Sequence, residues 1–138
     1  MKIVYVRPEN VWSAWPMFRD YANRVIEITN KRRCPAKFLL DLSENKESLL
    51  FITADDGTIK GFCTTSVCDY DRVKILQARM LAGDGMDEWL SLIEGKLEEI
   101  AKDNQCSGVE LIGRKGWIRK LAPYGWKESS VILEKRFD

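Results

Sequence analysis

Proton transfer in this sequence has to rest on carboxylates, Tyr, Lys, Arg, Cys or backbone amides, because none of the 138 residues is a histidine. That absence removes Ser-His-Asp and Cys-His nucleophile systems and every His-based zinc or non-haem iron site. Cys34, Cys63, Cys68 and Cys106 form no C-x-x-C pair, so a metal framework is not expected. Cys63 and Cys68 have no activating partner and read as packing residues or inert thiols. The candidate bases are Glu110, within a strand pattern, and Asp69 or Asp71 at a turn, where a partly desolvated carboxylate could accept a proton through water.

Arg114, Lys115, Arg119 and Lys120 surround Trp117, and with Lys31, Arg32 and Arg33 they could form a basic surface for single-stranded nucleic acid. Trp117 and Leu121, spaced i and i+4, fit the buried face of a short helix equally well. Twenty-two Lys+Arg against 21 Asp+Glu leave a net charge of +1, which favours the second reading. The same cations could alternatively attract the phosphates of a nucleotide-bearing ligand.

These residues must be positioned by elements that the patterning makes legible. A 45% hydrophobic, 31% charged chain of this length supports one domain over residues 1–138. Lys2 to Arg7 alternates as a strand, with no signal-peptide features, so a cytoplasmic location is expected. Val11, Trp12, Trp15, Phe18, Ala22, Val25 and Ile26 mark a helix face that Pro16 is expected to break or restart. Cys34-Pro35 leads into a shorter helix through Phe38, Leu39 and Leu42. Leu49 to Ile52, Ile59 to Val67 and Val73 to about Leu81 form an antiparallel three-strand meander, with Asp55-Asp56-Gly57 as its first turn. Met86, Trp89, Leu90, Ile93, Leu97, Ile100 and Ala101 define the longest helix. A strand over Val109 to Ile112, a short helix over Gly116 to Leu121 and a final strand over Val131 to Glu134 follow. This order predicts an α/β mixed sheet with helices on both faces and a parallel crossover through the long helix.

The order of elements, a glycine pair opening the long helix and Tyr124-Gly125-Trp126 after a short helix together resemble the GNAT superfamily of N-acetyltransferases across essentially the whole chain. The C-terminal half is similar to phage-encoded GNAT-like proteins through Gly83-Asp84-Gly85-Met86-Asp87-Glu88-Trp89-Leu90 and Gly113-Arg114-Lys115-Gly116-Trp117-Ile118-Arg119-Lys120-Leu121. The resemblance implies direct attack of a substrate amine on the thioester of acetyl-CoA, with a base taking the amine proton and a Tyr protonating the departing thiolate. It places acetyl-CoA between the last meander strand and the strand after the long helix, with its pyrophosphate on the amides that start that helix. Met80, Leu81, Gly83, Asp84, Gly85, Met86, Asp87 and Arg114 are then the cofactor contacts.

Two departures from the family pattern matter. Gly83 and Gly85 suit a loop whose amides approach a phosphate, and they match the end of the family's R/Q-x-x-G-x-G/A signature, but its first position falls on Met80, with Arg79 displaced by one. Asp84, Asp87 and Glu88 bring up to three negative charges to the same place. The alternative is that Asp84 caps the helix and Asp87 and Glu88 favour its positive end, each by about 0.3–1 kcal/mol. In the second motif, N-x-x-A-x-x-x-Y-x-x-x-G-F, Arg114 stands for Asn, Trp117 for Ala and Leu121 for the thiolate-protonating Tyr. Tyr124 is the nearby substitute acid, or else a packing tyrosine at a turn, and Glu110 is the base suggested by its strand. The implied acceptor is an amine on a small molecule or protein; nucleic acid and membrane are not expected, and a homodimer is left open. A catalytically inactive GNAT-fold binding or assembly protein, with Trp12 and Trp15 at its contact surface, is the alternative class.

Overall fold

The computed structural model describes residues 1–29 and 31–137. Strand β1 (Lys2–Val6) leads through a 3-10 turn at Pro8–Asn10 into helix α1 (Val11–Glu27) and helix α2 (Pro35–Ser43). Strands β2 (Ser48–Thr53), β3 (Ile59–Asp69) and β4 (Lys74–Gly83) precede helix α3 (Met86–Asp103), strand β5 (Gly108–Leu111) and helix α4 (Gly116–Leu121), which ends in a 3-10 turn at Ala122–Tyr124. The sheet order is β1-β2-β3-β4-β5, antiparallel except for the parallel β4–β5 pair that α3 connects. No described helix is long and apolar enough to cross a membrane.

Each sheet face has its own core. On one side α1 and α2 bury Phe18, Phe38 and Leu42 against Leu49, Phe51, Phe62 and Met80. Phe18 is fully buried, with its ring centroid 5.3 Å from Phe51 and 5.4 Å from Phe62, distances at which tilted aromatic pairs attract. On the other side α3 lays Trp89, Leu90, Ile93 and Leu97 over Leu50, Ile52, Cys63, Leu76, Ala78 and Leu81. Burial pushes the Cys63 thiol up to about 12, so it stays protonated and inert, as its lack of a partner suggested.

Three features depart from the sequence expectations. Helix α1 runs unbroken through Pro16. The proline withholds one amide from the carbonyl of Trp12, and Trp12 stands 56% exposed, on a side of the helix where water can take that carbonyl. The meander strand extends to Gly83 and carries a bulge: Thr64 pairs with Met80 and Thr65 with Ala78, leaving Arg79 as the extra residue. A bulge reverses the alternation of faces, which is why Leu76 and Ala78 but then Leu81 pack under α3, while Met80 turns to the α1 side.

The third departure is the closing strand over Val131 to Glu134, which does not form; residues 127–137 carry neither helix nor strand, and Leu133 is 91% exposed. Gly125 turns the chain in the left-handed region at φ 90°, and the Trp126 indole donates to Glu94 on α3 at 3.1 Å. Further on, Arg32, beyond the other end of the molecule's first helix, donates to the carboxylate of Glu134. These anchors lie on opposite sheet faces, so the segment passes around the β5 edge instead of alongside it.

Candidate functional site

Strands β4 and β5 pair only from Ile75↔Gly108 to Ala78↔Leu111. β4 continues for five residues to Gly83 without a partner on that side, because β5 ends at Leu111, opposite the residue before the Arg79 bulge. A cavity of about 680 Å³ opens there, within the range of small-molecule sites. Its walls come from β4 (Gln77, Arg79, Met80, Leu81), the last turn of α1 (Val25) with Ile28 just beyond it, and the turn after β5 (Ile112, Gly113, Arg114) under Trp117. Trp117 lies directly on Gly113, where a Cβ would come within 2.7 Å of the indole. The tryptophan therefore roofs one end of the cavity without filling it.

The start of α3 closes the neighbouring end of β4. Gly83 and Gly61 face one another so closely that a Cβ on Gly83 would meet the Lys60 carbonyl at 2.3 Å and Trp89 at 2.9 Å. Glycine is therefore required at position 83 for packing. Gly85 holds the left-handed conformation, φ 64°, at the helix N-cap. The Asp84 amide donates to the Lys60 carbonyl at 2.8 Å and the Glu88 amide to the Gly85 carbonyl at 2.9 Å. The amides of Gly85, Met86 and Asp87, with no partner among the described residues, remain at the positive end of the helix.

The acidic residues of this loop are individually restrained. Asp84 does not cap α3: its carboxylate accepts from Tyr21 Oη at 3.0 Å and from Arg24 at 3.4 Å, both on α1. Burial, and after it the bond to Asp84, pushes the Tyr21 phenol above its ordinary value. Asp87 lies 3.5 Å from Lys120 Nζ on α4. Two of the three negative charges thus have cationic neighbours, and Asp84 is drawn towards α1 and away from the helix end.

The sequence-predicted residues divide into two groups. Met80, Leu81 and Arg114 line the cavity, and Gly83, Asp84, Gly85, Met86 and Asp87 form the adjoining helix start. Glu110 and Tyr124 do not line it. Glu110 pairs in register with Gln77, and its Oε1 accepts from Tyr70 Oη at 2.5 Å and Gln77 Nε2 at 3.3 Å. Tyr124 is 40% exposed in the 3-10 turn after α4.

The Tyr70 contact has a pH signature. Its hydrogen bond to Glu110, together with desolvation and the carboxylate's charge, pushes the Tyr70 phenol up to about 12. An unfolded tyrosine ionises near 10, so the contact favours folding below about pH 10 and loses that contribution as the pH rises towards 12. In a phenolate absorbance titration one tyrosine should ionise at about 12, and that step should vanish in Tyr70→Phe. A Tyr70→Phe curve that keeps the late step would show that the contact does not hold the phenol.

Sequence reasoning missed Glu47, which is 2% exposed at the edge of β2. Its carboxylate accepts from Arg33 through two bonds, 2.8 and 3.3 Å, and lies 3.8 Å from Arg79. It thereby fixes two arginines of the cavity wall. The only signal was the isolated acid between Lys46 and an apolar strand, which is indistinguishable from an ordinary loop carboxylate.

No protein-family model matches the sequence, and no curated protein does. Solved structures do resemble it over its full length. A probable acetyltransferase superposes with a TM-score of 0.73 at 14% identity, covering 100% of this chain and 97% of its own. Ribosomal-protein-alanine N-acetyltransferase from Brucella melitensis biovar Abortus 2308 gives 0.71 at 15% identity, covering 99% and 100%. An aminoglycoside acetyltransferase from an uncultured soil metagenomic sample gives 0.72 at 13% identity, covering 99% and 98%. The chain has the mixed α/β fold of the GNAT acetyltransferases.

Proposed function

We propose that this chain transfers the acetyl group of acetyl-CoA to an amine, acting as one domain over residues 1–138. The observation that carries the reading is the cavity of about 680 Å³ where the β4–β5 pairing stops, lined by the same stretch of β4 that runs on to a helix start with three available amides. The amides of Gly85, Met86 and Asp87 would take the pyrophosphate, and Gly83 and Asp84 would shape that loop. The acyl arm would run along Met80 and Leu81 towards Arg114. The restrained carboxylates of Asp84 and Asp87 support this use of the loop, since neither is left uncompensated beside the helix end.

In this reaction the amine nitrogen attacks the thioester carbonyl carbon, forming the C–N bond. Collapse of the adduct breaks the C–S bond, the amine loses a proton to a base, and the thiolate leaves as the thiol after taking one up. Glu110 is the proposed base, through water, and Tyr124 the proposed acid. A phage gene as its source, resting on the motifs of the C-terminal half, and a soluble cytoplasmic setting, resting on the patterning of the first strand and the lack of a long apolar stretch, belong to the same proposal.

Isothermal titration of the full chain with acetyl-CoA should give saturable heat and a rise in melting temperature. No heat and no stabilisation at millimolar ligand would overturn the reading. Where transfer to an amine is seen, Glu110→Gln and Tyr124→Phe should each slow it by roughly 100-fold or more; unchanged turnover removes that residue from the mechanism. A second reading, a non-catalytic binding protein, is favoured by one observation: neither Glu110 nor Tyr124 lines the cavity. Binding of acetyl-CoA without turnover of any amine would establish it.

A further inference from the structure

Four arginines, Arg32, Arg33, Arg79 and Arg114, reach the wall of the cavity, and Glu134 is the one carboxylate among its described lining residues. Such a density of cations, set among apolar residues and the polar Thr29 and Gln77, favours an anion. Their partners separate them into two pairs. Arg33 and Arg79 are committed to the buried Glu47. Arg114 has no ion-pair partner among the described residues, and Arg32 holds Glu134 from the C-terminal segment. Arg32 therefore already binds a carboxylate of the cavity lining, supplied by the chain itself and also engaged by Arg136.

The position of Arg32 separates it from the nucleotide end. Tyr21 and Arg24 of α1 contact Asp84 at the helix start, whereas Ile28 and Arg32, which lie past the end of α1, line the cavity together with Gln77 and Arg79. Arg32 thus shares the cavity lining with Arg79, where the unpaired stretch of β4 begins, whereas the amides that suit a pyrophosphate lie past Gly83, where that stretch ends.

From this arrangement we infer that the acceptor is an amine bearing an anionic group, a carboxylate or a phosphate, which Arg32 and Arg114 bind in the place that Glu134 occupies. The inference rests on the acetyl-transfer reading for the role of the amine, but the anion site itself does not. Glu134 occupies the position as an internal stand-in, so the substrate's anion and the C-terminal segment compete for Arg32. Guanidinium groups suit both carboxylate and phosphate through paired N–H donors.

The test uses the full chain without acetyl-CoA and four probes: β-alanine and O-phosphoethanolamine, with propylamine and ethanolamine as their neutral-tailed counterparts. Thermal stabilisation and calorimetry at millimolar probe should detect the two anionic amines and not the neutral ones. The better of the two identifies the anion as carboxylate or phosphate. Arg32→Gln should weaken that binding by about tenfold or more, the scale of one charge-assisted pair. Glu134→Gln, which removes the competing carboxylate, should strengthen it several-fold. Equal responses to charged and neutral probes, or an Arg32→Gln variant that binds as well as the parent, overturn the inference, and unchanged affinity in Glu134→Gln overturns the overlap with the tail. If anionic amines bind while acetyl-CoA does not, the transfer reading falls and the anion site stands. If acetyl-CoA is used equally with propylamine and β-alanine, the anion site falls alone.

Discussion

Trp89→Ala is expected to destabilise the protein by about 3–5 kcal/mol, the range for truncating a fully buried aromatic residue. Trp89 is 0% exposed at the first turn of α3, and its indole N–H donates to the Asp84 carbonyl at 2.8 Å. The ring also fills the space beneath Gly61 and Gly83. Truncation therefore leaves a cavity, orphans a carbonyl and removes the floor of the loop at the start of α3. At this chain length the melting temperature should fall by roughly 10–20 °C. Trp89→Phe keeps a ring but loses the donor and part of the volume, and should cost less, about 1–3 kcal/mol. Thermal and denaturant unfolding of both variants decides the matter: a loss under 1 kcal/mol for Trp89→Ala would show that the indole is not the anchor of this loop.

Glu47→Ala should be comparably severe, at about 3–5 kcal/mol, although no sequence motif marks the residue. Its carboxylate is buried and compensates two guanidinium groups, and the Arg33 side chain is itself only 12% exposed. Removing the acid leaves a nearly buried cation without its partner, which costs more than the pair contributes when intact. Arg79→Ala should be milder, because Arg79 is 36% exposed and its contact with Glu47 is 3.8 Å long. Urea denaturation at neutral pH gives both values. Glu47→Ala within 1 kcal/mol of the parent would mean that the arginines find other partners, and would detach Glu47 from the shaping of the cavity wall.

The residues that were legible in advance share a physical property: their environment is set by close sequence neighbours. The 18 residues of α3 repeat Trp89, Leu90, Ile93 and Leu97 at helical spacing, and those side chains are buried as that spacing requires. The meander followed from three apolar runs separated by turn residues, and the parallel crossover from the long helix between strands. The same reasoning failed at Val131 to Glu134, whose apolar, β-branched run fits a strand. A strand needs an edge to pair with, and anchors at Trp126 and Glu134 draw the segment past β5.

The candidate site was legible only in part. Met80, Leu81 and Arg114, named through motif spacing, line the cavity, and Gly83 to Asp87 lie at the start of α3, past the end of its β4 wall. The displacement of Arg79 by one residue, which looked like a defect in the motif, coincides with the bulge opposite Thr64 and Thr65. The acidic loop looked hostile to a phosphate because its partners, Arg24 and Lys120, are 60 and 33 positions away in sequence, and nothing local announces them.

By itself, then, the sequence determined the element order as far as the short helix α4, the two buried faces and, through the lack of histidine, the classes of proton transfer open to the chain. Periodicity over a few turns and residue type decide those properties. Only the tertiary structure decided that Glu47 lies buried between two arginines, that Arg32 already holds a carboxylate, and that Glu110 and Tyr124 stand outside the cavity. These depend on contacts across the sheet and around its edge, where one bulge changes which side chains share a face and so which charges meet.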